Sequence, residues 1–464
     1  MKDLLRDAPC DRSIAVVPLT TDTLPAWQES APSEAARWVE SAGFSARPGE
    51  RCLIPDREHR LDSVLVGIDE EDDPWCLAHL PERLPDETCC HLDSRWTSPA
   101  IEASALGWAL AAYRFDRYRK NESPSATLFP GSASIAESAR KKAQAVARVR
   151  DLINTPACDM MPKDLADTTL EIAQRHAAKL QITAGDELLE KGYPAIHAVG
   201  RASAHAPLLI DLRWGEKNAP LVVLVGKGVC FDSGGLDIKN AAGMRLMKKD
   251  MGGAAHAIAL AELIMQSGLD LRLRVLIPAV ENAISGDAFR PGDILSTRKG
   301  LTIEVDNTDA EGRVVLSDAL HEGASEKPDL MIDFATLTGA ARIALGYELP
   351  AMFTDDDEIA QGIEAAGRKV HDPVWRLPLH APYRGLIRSR IADITNATSK
   401  APGGGAGGAI TAALFLQAFV PDGIPWVHFD IMAWMNRARP GRPEGGEAMS
   451  LRAVFEFLEG WRPR

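Results

Sequence analysis

The chain of 464 residues lacks long apolar runs, and this absence excludes whole classes of protein. No run approaches the roughly 20 apolar residues that a membrane-spanning helix needs. The first residues, "MKDLLRDAPCDRS", lack the long apolar segment of a secretory signal, because Leu4 and Leu5 are followed at once by charge. We therefore expect a cytoplasmic protein that has no membrane partner.

Cysteine is scarce, with seven residues in the chain, and none of them forms a C-x-x-C pair. Cys89 and Cys90 are adjacent, and the total is odd. This usage predicts no disulfide framework and suits a reducing compartment. It also argues against a redox or zinc-ribbon role.

Basic residues are in the minority, with 52 Lys and Arg against 65 Asp and Glu, so the formal net charge is −13. This balance argues against a general affinity for nucleic acid, although a local basic groove stays open. The chain has no H-E-x-x-H helix and no G-x-S-x-G nucleophile turn. Its glycine run at 402–409 lacks the Gly-Lys-Ser/Thr ending of a phosphate-binding loop, so we predict a plain loop before a helix.

What the chain does contain is an α/β pattern in two parts. Short apolar runs at 13–19 and 63–69 predict strands, and helix-like stretches follow them. A polar stretch at 120–134, with prolines and a glycine, predicts a loop or linker. We predict three parts: a small N-terminal α/β domain at 1–133, a linker helix at 134–154 and a larger catalytic domain at 155–464.

The predicted catalytic domain has more continuous apolar strands, at 219–228, 271–280 and 329–337, separated by helical stretches. Strands of this kind are typical of a largely parallel sheet covered on both faces. We therefore expect an α/β/α domain with a mixed, mostly parallel central sheet. In such sheets, functional groups gather where the carboxyl ends of the strands meet loops.

Carboxylates follow several of these strands, each with glycines beside it. Any one of them alone is typical of a turn. Four that converge at one edge of a sheet would be costly to bury without cations, and divalent metals are the usual solution. A two-metal site can activate water for hydrolysis. The four are Asp232, Asp250, Asp309 and Glu311.

The segments around these carboxylates resemble the signature segments of the leucyl aminopeptidase (cytosol aminopeptidase) family, M17. The resemblance covers roughly residues 148–464, and the N-terminal part is similar only in outline. The segments that carry it are "RDLINTPACDMMP", "VGKGVCFDSGGLDIK", "MKKDMGGAA", "NTDAEGR", "DFATLTGA" and "WVHFDI".

The resemblance implies two divalent metal ions per subunit, most often Zn²⁺ or Mn²⁺, with Co²⁺ or Mg²⁺ as further possibilities. Asp232 and Glu311 would bridge the ions. Lys239 and Arg313 would be catalytic residues rather than ligands. The implied ligands are Lys227, Asp232, Asp250, Asp309 and Glu311.

The implied reaction removes the N-terminal residue of a peptide by attack of a metal-bridging hydroxide. Lys227 would bind metal as a neutral amine, which requires a depressed pKa. Lys239 would stabilise the oxyanion. Arg313 would hold a bicarbonate ion that acts as the general base.

The resemblance also implies a substrate pocket and an assembly. An apolar first residue such as leucine or methionine is expected, because Met247 has alanine-rich surroundings. Met432, Ala433 and Trp434 stand where the family usually has Ala-Gly, which places this preference in doubt. A homohexamer acting on short peptides is implied. The implied pocket residues are Met247, Asn307, Thr336 and Gly339.

Two alternatives stay open on the same scaffold. One is a dipeptidase dedicated to cysteinyl-glycine-type substrates. The other is a DNA-binding regulator, which some bacterial members of the family are. An inactive scaffold is disfavoured, because every implied ligand and both implied catalytic residues are present.

Overall fold

The computed structural model describes residues 1–70, 72–398 and 405–463, and the chain forms two compact units in it. The first unit contains Met1–Ala147 and Arg437–Glu444, and the second contains Arg148–Asn436 and Gly445–Arg464. Part of the glycine run at 402–409 lies outside the described residues. In the described ranges, no helix is both long and apolar enough to cross a membrane.

The first unit is built on a five-stranded sheet of order β2-β3-β1-β4-β5. Strand β2 runs antiparallel to β3, and the other neighbours are parallel. The division between the units falls within helix α4. The elements are β1 (Ile14–Leu19), α1 (Leu24–Ser30), α2 (Ser33–Ser41), β2 (Arg51–Pro55), β3 (Leu61–Gly67), β4 (Cys89–Leu92), α3 (Ser98–Ala111), β5 (Thr127–Phe129) and α4 (Ala133–Asn154).

Cys10 and Cys89 form a disulfide in the first unit, so the expectation of no disulfide is wrong at this pair. They are 79 positions apart in sequence, but their Cα atoms lie 6.5 Å apart, within the range that a disulfide spans. The fold brings them together because Leu5 bridges to Leu128 of β5, which pairs with β4 where Cys89 begins the strand. The separation of Cys10 and Cys89 along the chain does not indicate that they are close in space.

The second unit contains a nine-stranded sheet with further small sheets. Three 3-10 helices accompany its elements, at Ala157–Asp159, Met247–Met251 and Ala381–Ile387. The elements are α5 (Pro162–Arg175), β6 (Lys179–Ala184), α6 (Glu187–Glu190), α7 (Pro194–Gly200), β7 (Leu208–Trp214), β8 (Leu221–Gly226), β9 (Gly228–Asp232), α8 (Ala241–Met244), α9 (Gly252–Ser267), β10 (Arg272–Asn282), β11 (Ile294–Ser296), β12 (Thr302–Glu304), α10 (Glu311–Ala324), β13 (Leu330–Ala335), α11 (Gly339–Leu345), β14 (Ala351–Phe353), α12 (Asp357–Lys369), β15 (Trp375–Arg376), β16 (Ile394–Thr395), α13 (Gly408–Gln417), β17 (Trp426–Asp430), β18 (Trp434–Met435), β19 (Gly445–Gly446) and α14 (Leu451–Gly460).

The large sheet has the order β15-β14-β17-β13-β8-β10-β7-β6, and β9 pairs with β10. Its central strands β17, β13, β8 and β10 are mutually parallel, and β9 is parallel to β10. Strands β14, β7 and β6 introduce antiparallel pairs. The predicted mixed, mostly parallel sheet is confirmed, and the carboxyl ends of its central strands meet at one edge.

Helices cover both faces of this sheet, as expected for an α/β/α domain. All six residues of β8 are buried. Gly323 of α10 lies against Val223, while Gly226, on the opposite face of the same strand, lies against Ala254 of α9. A strand packed on both faces has no polar side, which explains why its sequence is continuously apolar.

A buried ion pair joins the end of α4 to the segment before α14. Arg150 donates to Glu447 through Nε and Nη2, at 3.2 Å and 3.1 Å, and the two side chains are 0% and 2% exposed. Removing one partner of such a pair leaves the other charge buried without its counter-ion.

We expect Arg150→Met to lower the free energy of unfolding by about 3–5 kcal/mol, the usual cost of breaking a buried pair. Differential scanning calorimetry measures the accompanying fall in the unfolding midpoint. Arg148→Met is a matched control, because Glu262 keeps its ion pair with Arg175 when Arg148 is removed. Equal falls in the unfolding midpoint for the two variants would contradict the view that the Arg150–Glu447 pair stabilises the fold more than the Arg148–Glu262 pair.

Candidate metal centre

Two of the implied ligands come from strands at the carboxyl edge of the sheet. Lys227 directly follows β8, and its backbone N–H donates to the Phe334 carbonyl at 3.0 Å, which fixes the chain beside β13. Asp232 is the last residue of β9. Its Oδ1 accepts from Gly234 N–H at 2.8 Å and from Asn282 Nδ2 at 2.9 Å. These bonds orient the second oxygen of Asp232 toward the centre.

Asp250 lies in the 3-10 helix Met247–Met251 that leads into α9, and it is 3% exposed. Its Oδ1 accepts from Thr336 Oγ1 at 2.8 Å, and its Oδ2 lies 2.7 Å from Lys227 Nζ. The tight approach of α9 to the sheet needs glycine, because a Cβ on Gly253 would lie 2.0 Å from the Phe334 carbonyl oxygen. Backbone packing therefore holds Asp250 over Lys227.

The segment "NTDAEGR" contains the turn before α10 and the first three residues of that helix, which begins at Glu311. Asp309 N–H donates to Asn307 Oδ1 at 2.7 Å, which shapes the turn. Glu311 Oε1 lies 3.0 Å from Lys227 Nζ. A Cβ on Gly312 would lie 2.5 Å from Lys227 Cε, so only glycine lets α10 begin this close to the lysine.

The structure thus brings together three of the predicted carboxylates as a compact oxygen cluster. One ligand oxygen from each of Asp232, Asp309 and Glu311 lies within 4.8 Å of the others. Asp250 joins the same centre through Lys227, whose Nζ contacts both Asp250 and Glu311.

Burial and mutual repulsion disturb the charges of this cluster. Burial, and then the charge of Asp232, raise the pKa of Glu311 to about 8 and that of Asp309 to about 6. Burial works against the charge of Lys227, but Asp250, Glu311 and Asp232 outweigh it and hold its pKa above the ordinary value. The carboxylates therefore favour the ammonium form of Lys227, which could act as the implied metal ligand only after losing a proton.

The donor set fits divalent cations. Glu311 is 1% exposed, and its Oε2 has no hydrogen-bond partner among the residues described. Buried carboxylate oxygens that face no donor are costly, and hard divalent ions prefer such oxygens as ligands. The five implied ligands could hold two ions.

Lys239 and Arg313 take different positions beside the cluster. Lys239 Nζ lies 2.8 Å from Asp232 Oδ2 and also pairs with Asp309. Arg313 is 9% exposed, and within the described part of the chain its Nε has no hydrogen-bond partner. Burial lowers the pKa of Arg313 to about 10, against the attraction of Glu311 and Asp430, so the guanidinium keeps its charge at neutral pH.

A cavity of about 670 Å³ opens onto this cluster. Its wall includes four of the implied ligands and both implied catalytic residues. The four residues expected to bind substrate, Met247, Asn307, Thr336 and Gly339, also line it.

Comparison with known families agrees with this geometry. The catalytic-domain model of the cytosol aminopeptidase family matches residues 147–455, and the model of the M17 aminopeptidase N-terminal domain matches residues 14–130. The chain belongs to the M17 cytosol aminopeptidase family. It is a metal-dependent aminopeptidase.

Similar proteins include a probable cytosol aminopeptidase of Geobacter sp. (strain M21), 39% identical over 77% of this chain and 75% of that protein. One from Roseiflexus castenholzii is 40% identical over 78% of each chain. The crystal structure of the Coxiella burnetii cytosol aminopeptidase has a TM-score of 0.94 and 48% identity, covering 99% of this chain and 100% of that one. The bottromycin maturation enzyme BotP, in complex with Mn, has a TM-score of 0.86 and 34% identity, covering 96% and 99%.

Sequence reasoning missed some residues of this M17 site. Asn282 ends β10 and donates to Asp232, and it also donates to the Thr308 carbonyl at 3.1 Å. The position of Asn282 at the carboxyl end of a central strand is a sequence signal that could have identified it as a site residue. Asp430 ends β17 and accepts from Thr338 Oγ1, which braces the loop before α11. Lys249 also lines the cavity, beside Asp250.

We expect metal uptake by this aminopeptidase to strengthen as the pH rises from about 6 to 9, because metals bind only the deprotonated ligands. Glu311 has a pKa raised to about 8, and the pKa of Lys227 is also raised, so protons compete with the metal below that pH. Calorimetric titration with Mn²⁺ in buffers of different ionisation enthalpy measures the protons released. Uptake that releases no protons at pH 7 would contradict the assignment of these ligands.

We expect Gly312→Ala to weaken metal binding about 10- to 100-fold, the effect of disturbing groups that position a ligand. The added Cβ would lie 2.7 Å from Lys227 Nζ and force the lysine away. Equilibrium dialysis with Mn²⁺ gives the change in affinity. Gly286→Ala is the matched control, because a Cβ there meets nothing within 4 Å. Equal affinities in the two variants would show that the close approach is unimportant.

Proposed function

We propose that this aminopeptidase removes single N-terminal residues from short peptides, with Lys227, Asp232, Asp250, Asp309 and Glu311 holding two divalent ions. The observation that carries the proposal is a group of four carboxylates at one cavity, each of them paired with Lys227 or Lys239. When bound, the ions supply Lewis-acid activation of water and of the scissile carbonyl. Zn²⁺ and Mn²⁺ are the ions we propose, and carboxylate-rich sites also accept Co²⁺ or Mg²⁺.

Lys239 is proposed to stabilise the negative charge that develops on the carbonyl oxygen. Its ammonium lies at the edge of the cluster, against Asp232 and Asp309, and its side chain is 15% exposed toward the cavity. A fixed ammonium stabilises an oxyanion strongly in a site that excludes water. The two carboxylates keep Lys239 protonated, since they raise its pKa against the effect of burial.

Arg313 is proposed to hold a bicarbonate ion that accepts the proton of the attacking water. The guanidinium is buried, forms no ion pair among the described residues and lines the cavity. A planar guanidinium matches a planar anion with two parallel hydrogen bonds. With bicarbonate in place, no side chain of the chain needs to act as the base.

The N-terminal restriction would come from the ion held beside Lys227 and Asp250, because the free α-amine of the substrate could bind that ion through its lone pair. Asp250 Oδ2 lies 2.7 Å from Lys227 Nζ, which brings these two proposed ligands together. An acetylated N-terminus offers neither charge nor a lone pair there. The homohexamer and the apolar first residue implied by the resemblance stay predictions.

We expect metal-restored release of p-nitroaniline from leucine, methionine and arginine p-nitroanilides, and no release from N-acetylated forms. Apoprotein receives Mn²⁺, Zn²⁺ or Co²⁺ before the assay. Glu311→Ala should lower kcat/KM by more than about 100-fold, because even outer groups of metal sites contribute up to that much.

The exposed Glu216→Ala serves as the control, since it removes the same charge far from the cavity wall. Failure of every free-amine substrate with metals bound would contradict the proposal. Dipeptides and DNA would then be the next ligands to test.

A further inference from the structure

Lys249 is a buried cation that no described residue contacts as an ion-pair partner. It is 7% exposed, lines the cavity and lies between Met247 and Asp250 in the 3-10 helix. In the parts of the chain that the structure describes, its ammonium forms no ion pair and no hydrogen bond. Asp250 and Asp430 act on it only at longer range. Burying an unpaired ammonium is costly, so a partner from outside the protein is expected.

The acidic groups near Lys249 already have partners. Asp250 contacts Lys227 and accepts from Thr336. Asp430 accepts from the backbone N–H groups of Leu337 and Thr338, each at 3.1 Å, and from Thr338 Oγ1 at 2.6 Å. Neither carboxylate is in ion-pair contact with Lys249, although both charges attract it. In this respect Lys249 differs from Lys227 and Lys239, which are both paired.

A second cation, Arg342 of α11, lies on the same wall. Arg342 is exposed to the cavity, and its Nη2 would lie 3.8 Å from a Cβ built on Gly339. It forms no ion pair among the residues described, and its charge acts unfavourably on Lys249. Two positive charges on the same cavity wall repel each other, and an anion bound between them would reduce that repulsion.

The same wall carries apolar surface. Met247 and Met432 line the cavity together with Thr336 and Gly339, the residues expected to surround the first side chain of the substrate. A side chain with a short methylene stem and a terminal carboxylate would lay its stem against the methionines. Its carboxylate would then reach Lys249.

We propose that Lys249 determines specificity for peptides whose first residue is glutamate or aspartate, with Arg342 assisting at the mouth of the pocket. This inference rests on the proposed function and replaces the expected preference for leucine or methionine. A substrate carboxylate could also come from the C-terminus of a dipeptide, but Lys249 shares its wall with the residues of the first pocket, which favours the side chain.

The test compares glutamate and glutamine p-nitroanilides, which differ only in charge and lack a C-terminal carboxylate. We expect kcat/KM to be about 10-fold or more higher for glutamate, the range of a hydrogen bond to a charged group. Lys249→Met should reduce this ratio to about 1 or below. Lys249→Arg should retain the glutamate preference, because it restores the charge.

Lys248→Met is the matched control. It removes the same charge one residue away, but Lys248 donates to the Asn154 carbonyl at 2.6 Å and does not line the cavity. Its glutamate-to-glutamine ratio should equal that of the unmodified enzyme. Metal content is measured for each variant, so that a loss of metal is not mistaken for a loss of specificity.

Several outcomes would overturn the inference. The first is a glutamate-to-glutamine ratio of kcat/KM near 1 in the unmodified enzyme. The second is a ratio that Lys249→Met leaves unchanged. Either result shows that Lys249 does not bind the first side chain of the substrate. If the variant alters only the preference for leucyl-glycine over leucyl-glycinamide, the carboxylate bound is the C-terminal one. If no free-amine substrate is hydrolysed at all, the proposed function fails instead.

Calorimetric titration of the unmodified protein with L-glutamate and with L-glutamine gives a readout independent of any variant. Tighter binding of glutamate is expected, and equal affinities would contradict the inference.

Discussion

The burial of several carboxylates at one edge of a parallel sheet is the constraint on which the rest of the second unit depends. Asp232, Asp250 and Glu311 are each at most 3% exposed, and burial, followed by repulsion among them, raises the pKa of Glu311. Without cations such a group would oppose folding. Lys227 and Lys239 compensate it in the metal-free protein, since each contacts two of the carboxylates.

This constraint explains the backbone around the centre. Glycine occurs where α9 and α10 begin, because a Cβ on Gly253 or Gly312 would overlap the Phe334 carbonyl or Lys227. The helices can then start against the sheet, which places Asp250 and Glu311 on either side of the lysine. Thr336 and Asn282 fix one oxygen each of Asp250 and Asp232, so the remaining oxygens are directed into the centre. The same few contacts therefore fix both the positions of these carboxylates and their electrostatic environment.

The charged residues of the cavity wall beyond the metal centre differ from those at the centre in how they are paired. Lysines at the carboxylate cluster are paired, but Lys249 and Arg342 are not paired by any described residue. In our proposals the first group serves the metal centre and the second selects the substrate. The segment "MKKDMGGAA" would then carry both a proposed metal ligand, Asp250, and the proposed specificity residue, Lys249.

Much of this protein could be predicted from its sequence alone. Continuous apolar strands predicted the sheet, and acids and glycines after them predicted the edge where the centre lies, because strand direction and burial are local consequences of composition. The sequence could not show that Cys10 meets Cys89, that Asn282 donates to Asp232 or that Lys249 has no ion-pair partner among the described residues. Each of these depends on distances between segments far apart in the chain, and only the packed tertiary structure sets those distances.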